Sequence, residues 1–115
     1  MASKDLLGSF EQLVMLALLH LGDRAYGMTV RREIERRSGR AIALGAVYAT
    51  LDRLEEKGYV RSYTGDGGAE RGGRARRFFR VQASGVKVLR SSIATLDSLR
   101  EALPGFEGAA ARADA

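Results

Sequence analysis

Arginine supplies most of the binding chemistry that this sequence offers. Arg71, Arg74, Arg76, Arg77 and Arg80 crowd a short stretch in which only Asp66 and Glu70 oppose them. The same stretch holds Gly65, Gly67, Gly68, Gly72 and Gly73, which rule out a helix and disfavour a core strand. Guanidinium groups on so pliable a backbone can follow a chain of phosphates and supply affinity with little selectivity. A nucleotide-phosphate loop is a poor match. Such a loop joins a strand to a helix and carries Gly-Lys-Ser/Thr, whereas this one joins two strand-like runs and has no lysine. The strand formers on both sides also argue against a plain linker.

The second group of interest precedes it. Val47, Leu51 and Leu54 recur at helical spacing and mark a buried face. The opposite face is expected to carry Ala46, Ala49, Thr50, Arg53 and Lys57, small at its start and basic further along. A helix face with little bulk at its start can enter a DNA major groove. The plain alternative is an amphipathic helix with solvated charges.

Other chemistry is excluded by composition. There is no cysteine, hence no disulfide framework, thiolate metal site or cysteine nucleophile. The single histidine, His20, sits at a helix end, where a dipole-compatible surface or interface role outweighs a pH-sensitive contact. No nucleophile–base pair, metal set or cofactor loop emerges, so neither catalysis nor a cofactor is expected. The chain has 115 residues, 45% of them hydrophobic, which suits one domain with one core. A net charge of +5 and a pI near 10.1 favour an anionic partner, nucleic acid or membrane surface. The start of the chain lacks the features of a signal peptide. The longest apolar run, Leu13 to Leu19, falls far short of the ~20 residues that span a bilayer. A soluble cytoplasmic protein is expected, with no membrane partner.

These groups need elements to hold them. Ser9-x-x-Gln12 before an apolar run reads as a capping box, so a first helix should run from about Phe10 to Leu21 and stop at Gly22. It is apolar nearly all round, which one small core cannot cover. A second helix should run from about Tyr26 to Ser38, burying Tyr26, Val30 and Ile34, with a charged run from Arg31 to Arg37 that is mostly solvated. The third helix, bearing the small-then-basic face, should end at Gly58, a residue suited to a helix C-terminus. Tyr59 to Tyr63 and Arg76 to Val81 read as strands around the glycine-rich loop. A last helix should begin near Ser84, its expected N-cap, and end near Ala102. Its Val86, Leu89, Ile93, Leu96 and Leu103 form a coiled-coil-like seam. The order helix, helix, helix, strand, basic loop, strand, helix is that of a winged helix-turn-helix, mainly α with a two-stranded β-wing. Residues 1–82 form the binding domain, residues 83–104 the C-terminal dimerisation helix, and residues 105–115 a tail expected to be disordered.

The chain resembles short PadR-family transcriptional regulators over roughly Leu6 to Leu103. The matching residues are Tyr26-Gly27, Gly45-Ala46-Val47-Tyr48, Leu51-x-x-Leu54-Glu55-x-x-Gly58, Gly72-Gly73-Arg74-Ala75-Arg76-Arg77-Phe78-Phe79, and Gly85 at the start of the last helix. The family often has Ser or Thr at Ala46, Pro at Ala49, Tyr at Phe79 and Thr at Gln82. The resemblance implies a homodimeric repressor of a near-palindromic double-stranded operator, associated with the nucleoid through its DNA. The last helix would pack on the first and last helices of the partner. Leu13, Leu16, Val86, Leu89, Ile93, Leu96 and Leu103 are then the expected interface. Ala46, Ala49, Thr50 and Arg53 would face bases, and Tyr48 would partly pack and partly approach the backbone. Arg71, Arg74, Arg76 and Arg77 would reach phosphates or the minor groove. Some relatives hold flat aromatic effectors beside a tryptophan between subunits. This chain has no tryptophan, so no effector is assigned. The other reading kept open is a winged-helix module whose basic wing binds an acidic protein.

Overall fold

The computed structural model describes residues 5–65 and 76–111. Helix α1 spans Ser9–Leu21, α2 Gly27–Ser38, α3 Leu44–Glu56 and α4 Ala83–Glu101. Strands β1, Val60–Gly65, and β2, Arg76–Val81, lie between α3 and α4 and pair antiparallel, Val60 with Val81 through Gly65 with Arg76. An isolated bridge between Tyr26 and Phe78 adds the segment before α2 to the far side of β2. It is reinforced by the Phe79 amide, which donates to the Ala25 carbonyl at 3.0 Å. The expected winged helix-turn-helix with a following helix is therefore the observed fold. Arg71 and Arg74 fall outside the described residues.

The core lies where three helices, the hairpin and the first half of α4 converge. Val14, Met15 and Leu18 of α1 meet Val30 and Ile34 of α2, Val47, Leu51 and Leu54 of α3, Phe79 of β2, and Val88 and Leu89 of α4. Apolar residues at helical spacing explain each contribution, and Phe79 is the largest side chain fully removed from water. Two glycines make the packing possible. Gly58 takes a φ of 81° after α3. Its amide bonds the Glu55 carbonyl at 3.0 Å, and the next amide, of Tyr59, bonds the Leu54 carbonyl at 3.0 Å, which turns the chain into β1. Gly85 lets α4 press onto that turn, because a Cβ there would stand 2.2 Å from the Tyr59 carbonyl oxygen.

Both expected caps are displaced. The N-cap of α1 is Gly8, and the side chain that reaches back is Glu11, whose Oε1 accepts the Gly8 amide at 2.9 Å. Gln12 instead donates to the Leu7 carbonyl at 2.9 Å. The N-cap of α4 is Gln82, and Ser84 donates its hydroxyl to the Gly58 carbonyl at 2.7 Å. Beyond α4 the expected tail opens with a 3₁₀ turn, Phe106–Ala111.

The seam on α4 divides in two. Leu89 is buried in the core, and Val86 and Ile93 are half-buried, the latter packed against that core. Leu96 and Leu103, by contrast, are 57% and 49% exposed, as are Leu99 at 70% and Phe106 at 50%. The reason is geometric. Val88, Leu89 and Ser92 are buried, with the Ser92 hydroxyl oxygen accepting the Leu7 amide at 3.0 Å, and the helix then runs on past the core with its apolar residues uncovered. On α1, Val14, Met15 and Leu18 are buried while Leu13, Leu16 and Leu19 stay open.

Two tests follow from these contacts. Gly85→Ala forces a methyl group against a carbonyl that cannot withdraw, and should lower the unfolding free energy by about 1–3 kcal/mol in urea melts. Gly45→Ala, with nothing within 4 Å of the new carbon, should be neutral or stabilise by up to about 1 kcal/mol. Equal midpoints for the two would contradict the packing described. The second test concerns Glu11. Burial alone would raise its pKa, but the Gly8 amide, Arg53 and Lys57 together outweigh burial and hold it below the usual carboxylate value. A carboxylate lowered by folding adds stability at pH values above its unfolded pKa. That stability fades as pH falls below about 4.3 towards the folded value. The stability difference between wild type and Glu11→Gln should therefore shrink as pH is lowered from 6 through that window. A difference independent of pH would contradict the charge network.

Candidate nucleic-acid interface

The third helix presents a flat start. Gly45, Ala46 and Ala49 are exposed and place almost no bulk between the α3 backbone and solvent. Tyr48 is half-buried and seats on the first turn of α2. Its ring occupies the space that a Cβ on Gly27 would need, with the nearest ring atom 2.3 Å from that position. Tyr26-Gly27 and Tyr48 thus form one joint, in which a residue without a side chain lets α3 approach α2. The turn between these helices is pinned by Glu35, which accepts the Ile42 amide at 2.8 Å.

Two features of the face differ from the sequence reading. Thr50 is 3% exposed and lies on the core side of α3, so it cannot meet a base. Its hydroxyl oxygen accepts an Arg53 N–H at 3.4 Å instead. The outward line from Ala49 continues to Asp52 and Glu56, both exposed, so the later part of the face is acidic before it is basic. Arg53 and Lys57 flank that line, and both turn towards α1. Arg53 Nε lies 3.3 Å and Lys57 Nζ 3.4 Å from Oε2 of the buried Glu11.

The hairpin answers the acidic line. Arg77 points inward from β2, over the Phe79 ring, and donates to Asp52 at 3.0 Å and to Glu55. Glu55 also accepts both the hydroxyl and the amide of Ser62 on β1. The Ser62 hydroxyl outweighs burial, and with the Ser62 amide and Arg77 it holds the Glu55 pKa below the usual carboxylate value. Arg77 is therefore a tie between wing and helix. Arg76 lies on the outer face of the hairpin, its guanidinium 4.1 Å from the Tyr26 ring centre. Tyr26 meets Phe78 edge-on and Phe78 stacks on Tyr63, with centres 5.7 Å apart in each pair. Arg80 covers Tyr63 from 5.2 Å and meets Asp23 at 3.2 Å. This aromatic backing gives the base of the wing a fixed, positively charged outer face.

On α2 most charge is already matched. Arg36 and then Arg37 hydrogen-bond Glu33 and pull its pKa down to about 2. Arg37 also meets His20 Nε2 at 3.0 Å. Arg32 and Arg40 stand exposed. Sequence reasoning missed Glu11 and Asp52. The helical step of about 100° per residue places Asp52 beside Ala49 and could have revealed it. The capping contact of Glu11 with Gly8 is local, but no local signal marks its contacts with Arg53 and Lys57, which come from α3. Among the described residues, no group of His, Cys, Asp and Glu could hold a metal ion, and no helix is long and apolar enough to cross a membrane.

Comparison with known proteins gives this geometry a family. The transcriptional regulator PadR-like family model matches residues 15–91. A PadR family transcriptional regulator from Eggerthella lenta is 30% identical, with a TM-score of 0.63 over 79% of this chain and 77% of that one. A PadR family transcription regulator from Clostridium difficile has a TM-score of 0.70 at 21% identity, covering 88% of this chain and all (100%) of that one. A transcriptional regulator from Clostridium thermocellum has a TM-score of 0.67 at 22% identity, over 88% and 98%. No curated protein matches. The family match runs from the middle of α1 to the middle of α4, including α3 and both sides of the wing, and the chain belongs to the PadR-like family of transcriptional regulators.

Proposed function

We propose that the protein is a dimeric repressor that reads a near-palindromic double-stranded DNA site. The observation that carries this reading is the flat start of α3, Gly45, Ala46 and Ala49, beside a basic wing that Arg77 ties to the same helix. Small side chains let the α3 backbone approach base edges closely, with Arg53 as the long donor on its flank. Tyr48 would hold the N-terminal half of α3 at the α2 joint and meet the DNA backbone with its edge. Arg71, Arg74 and Arg76 would supply phosphate contacts along the wing. Arg77 would contribute indirectly, by neutralising Asp52 and Glu55 and fixing the wing against α3.

The dimer is proposed from the uncovered apolar surface. Leu13 and Leu16 line a groove of about 460 Å³ between α1 and α2, floored by Ala17 and Ile34 and rimmed by His20, Glu33 and Arg37. Leu96, Leu99, Leu103 and Phe106 project from the far half of α4 and its sequel. A two-fold axis would pair each surface with its counterpart and cover both, since a closed dimer buries the same patch on each subunit. Val86 and Ile93 would border this contact, and Leu89 drops out because its own core holds it. Two recognition helices would then meet successive major grooves about 34 Å apart.

The test uses the DNA that flanks the protein's own gene. The wild-type chain should sediment as a dimer at micromolar concentration and protect a near-palindromic segment in a footprint. Leu96→Glu puts a carboxylate into each half of the contact without a partner. It should sediment as a monomer, keep most of its helical circular dichroism and lose the footprint. A Leu96→Glu protein that stays dimeric and still protects the site would contradict the two-fold arrangement.

A further inference from the structure

We infer that Glu11 is a positioning residue for base recognition: with Thr50 it occupies one edge of the Arg53 guanidinium and leaves only the end edge to read a base. The inference rests on the DNA-reading role proposed above and deepens it. Glu11 belongs to α1 and is only 8% exposed. Its carboxylate is held from both sides. Oε1 accepts the Gly8 amide at 2.9 Å, and Oε2 faces Arg53 Nε at 3.3 Å and Lys57 Nζ at 3.4 Å. The Arg53 side chain nonetheless remains 51% exposed, so its head is open to an incoming partner.

The guanidinium is a planar fork with five N–H donors in fixed directions. Nε–H and the neighbouring Nη2–H point the same way and make one bonding edge. The outward N–H groups of Nη1 and Nη2 make another, at the end. In this structure the protein takes the Nε–H of the first edge and one N–H of Nη2, the atom that the two edges share. Nε meets Glu11, and Nη2 meets the buried Thr50 hydroxyl oxygen at 3.4 Å. The end edge is the one that remains to face a pair of acceptors, such as O6 and N7 of guanine. An arginine without these contacts would sample several rotamers and offer either edge to any nearby phosphate.

Charge reinforces the geometry. Glu11 offsets the cations of Arg53 and Lys57, so this flank of α3 attracts DNA less for its charge alone. Selectivity then depends more on the fit of the end edge and less on backbone attraction, which every sequence offers equally. The same carboxylate caps α1, so the orientation of Arg53 is tied to the start of the first helix.

The experiment compares two duplexes of equal length, one selected in vitro by the wild-type protein and one of random sequence. Affinities are measured by fluorescence anisotropy for wild type, Glu11→Gln, Arg53→Ala and the double variant, with thermal melts alongside. Glutamine keeps the shape of the side chain and an oxygen for the Gly8 amide. We expect Glu11→Gln to bind the random duplex more tightly and to lower the selected-to-random ratio about fivefold or more, within the range of one good base contact. In the Arg53→Ala background the same change should leave the ratio where it is. Thr50→Val should lower the ratio in the same direction without tightening random binding, and it provides the test should Glu11→Gln not fold. A Glu11→Gln protein that melts earlier but keeps its ratio would overturn the proposal. So would an equal loss with and without Arg53. If wild type selects no duplex, the DNA-reading role fails and the positioning role with it. If wild type is selective but Arg53→Ala leaves the ratio unchanged, DNA reading stands and the role of Glu11 is overturned.

Discussion

The ion pairs from Arg77 to Asp52 and Glu55 join the hairpin to α3, and the proposed binding surface depends on them. The exposed line along α3 begins with residues that exclude nothing and continues into Asp52 and Glu56. An uncompensated acidic line would repel phosphates over much of a Debye length of ~8–10 Å. Arg77 answers Asp52 directly. By holding Glu55 as well, it fixes the base of the wing in one orientation against the helix. Ser62 repeats the attachment from β1 with both its amide and its hydroxyl. Exposed ion pairs generally contribute little to stability. The consequence of these pairs lies in where they place charge and which elements they hold together.

A matching arrangement stands on the other flank of α3. Glu11 takes Arg53 and Lys57, and Asp5 bonds both Lys57 and the Tyr59 hydroxyl. The helix is thus held between a carboxylate from α1 and a guanidinium from β2, each of opposite sign to the groups it meets. Gly27 and Gly85 do the corresponding steric work by admitting Tyr48 and the Tyr59 carbonyl at contact distances closed to any other residue. Sequence, packing and charge therefore converge on α3. Residues far apart in the chain set its tilt, its joint with α2 and the state of its exposed side chains.

The element order was legible because each element carries its own local pattern. Val47, Leu51 and Leu54 mark a helix, Gly58 marks its end, and strand formers flank a glycine-rich loop. The order of these signals, together with short motifs such as Gly45-Ala46-Val47-Tyr48, was enough to give the family. Side-chain roles were less legible, since they depend on which neighbour arrives. Thr50 lies about 60° round the helix from Val47, close enough for the core to take it. Leu89 and Leu96 repeat the same spacing, yet one is buried in the core and the other is exposed, and no periodicity records where a helix leaves its core. Arg77 and Arg76 are adjacent in sequence but point to opposite faces of a strand, so one meets carboxylates and the other an aromatic ring. The caps moved by one or two residues because Glu11 and Ser84 found partners in Gly8 and Gly58.

The decisive measurement is the affinity of Arg77→Ala for the selected duplex, taken beside that of Arg77→Ala/Asp52→Asn/Glu55→Gln. If Arg77 acts by neutralising α3, the single change should weaken binding, and removing both carboxylates in the same chain should restore most of it. If the triple variant binds as weakly as the single one, Arg77 contributes by touching DNA itself, and the central role given to its ion pairs with α3 is wrong.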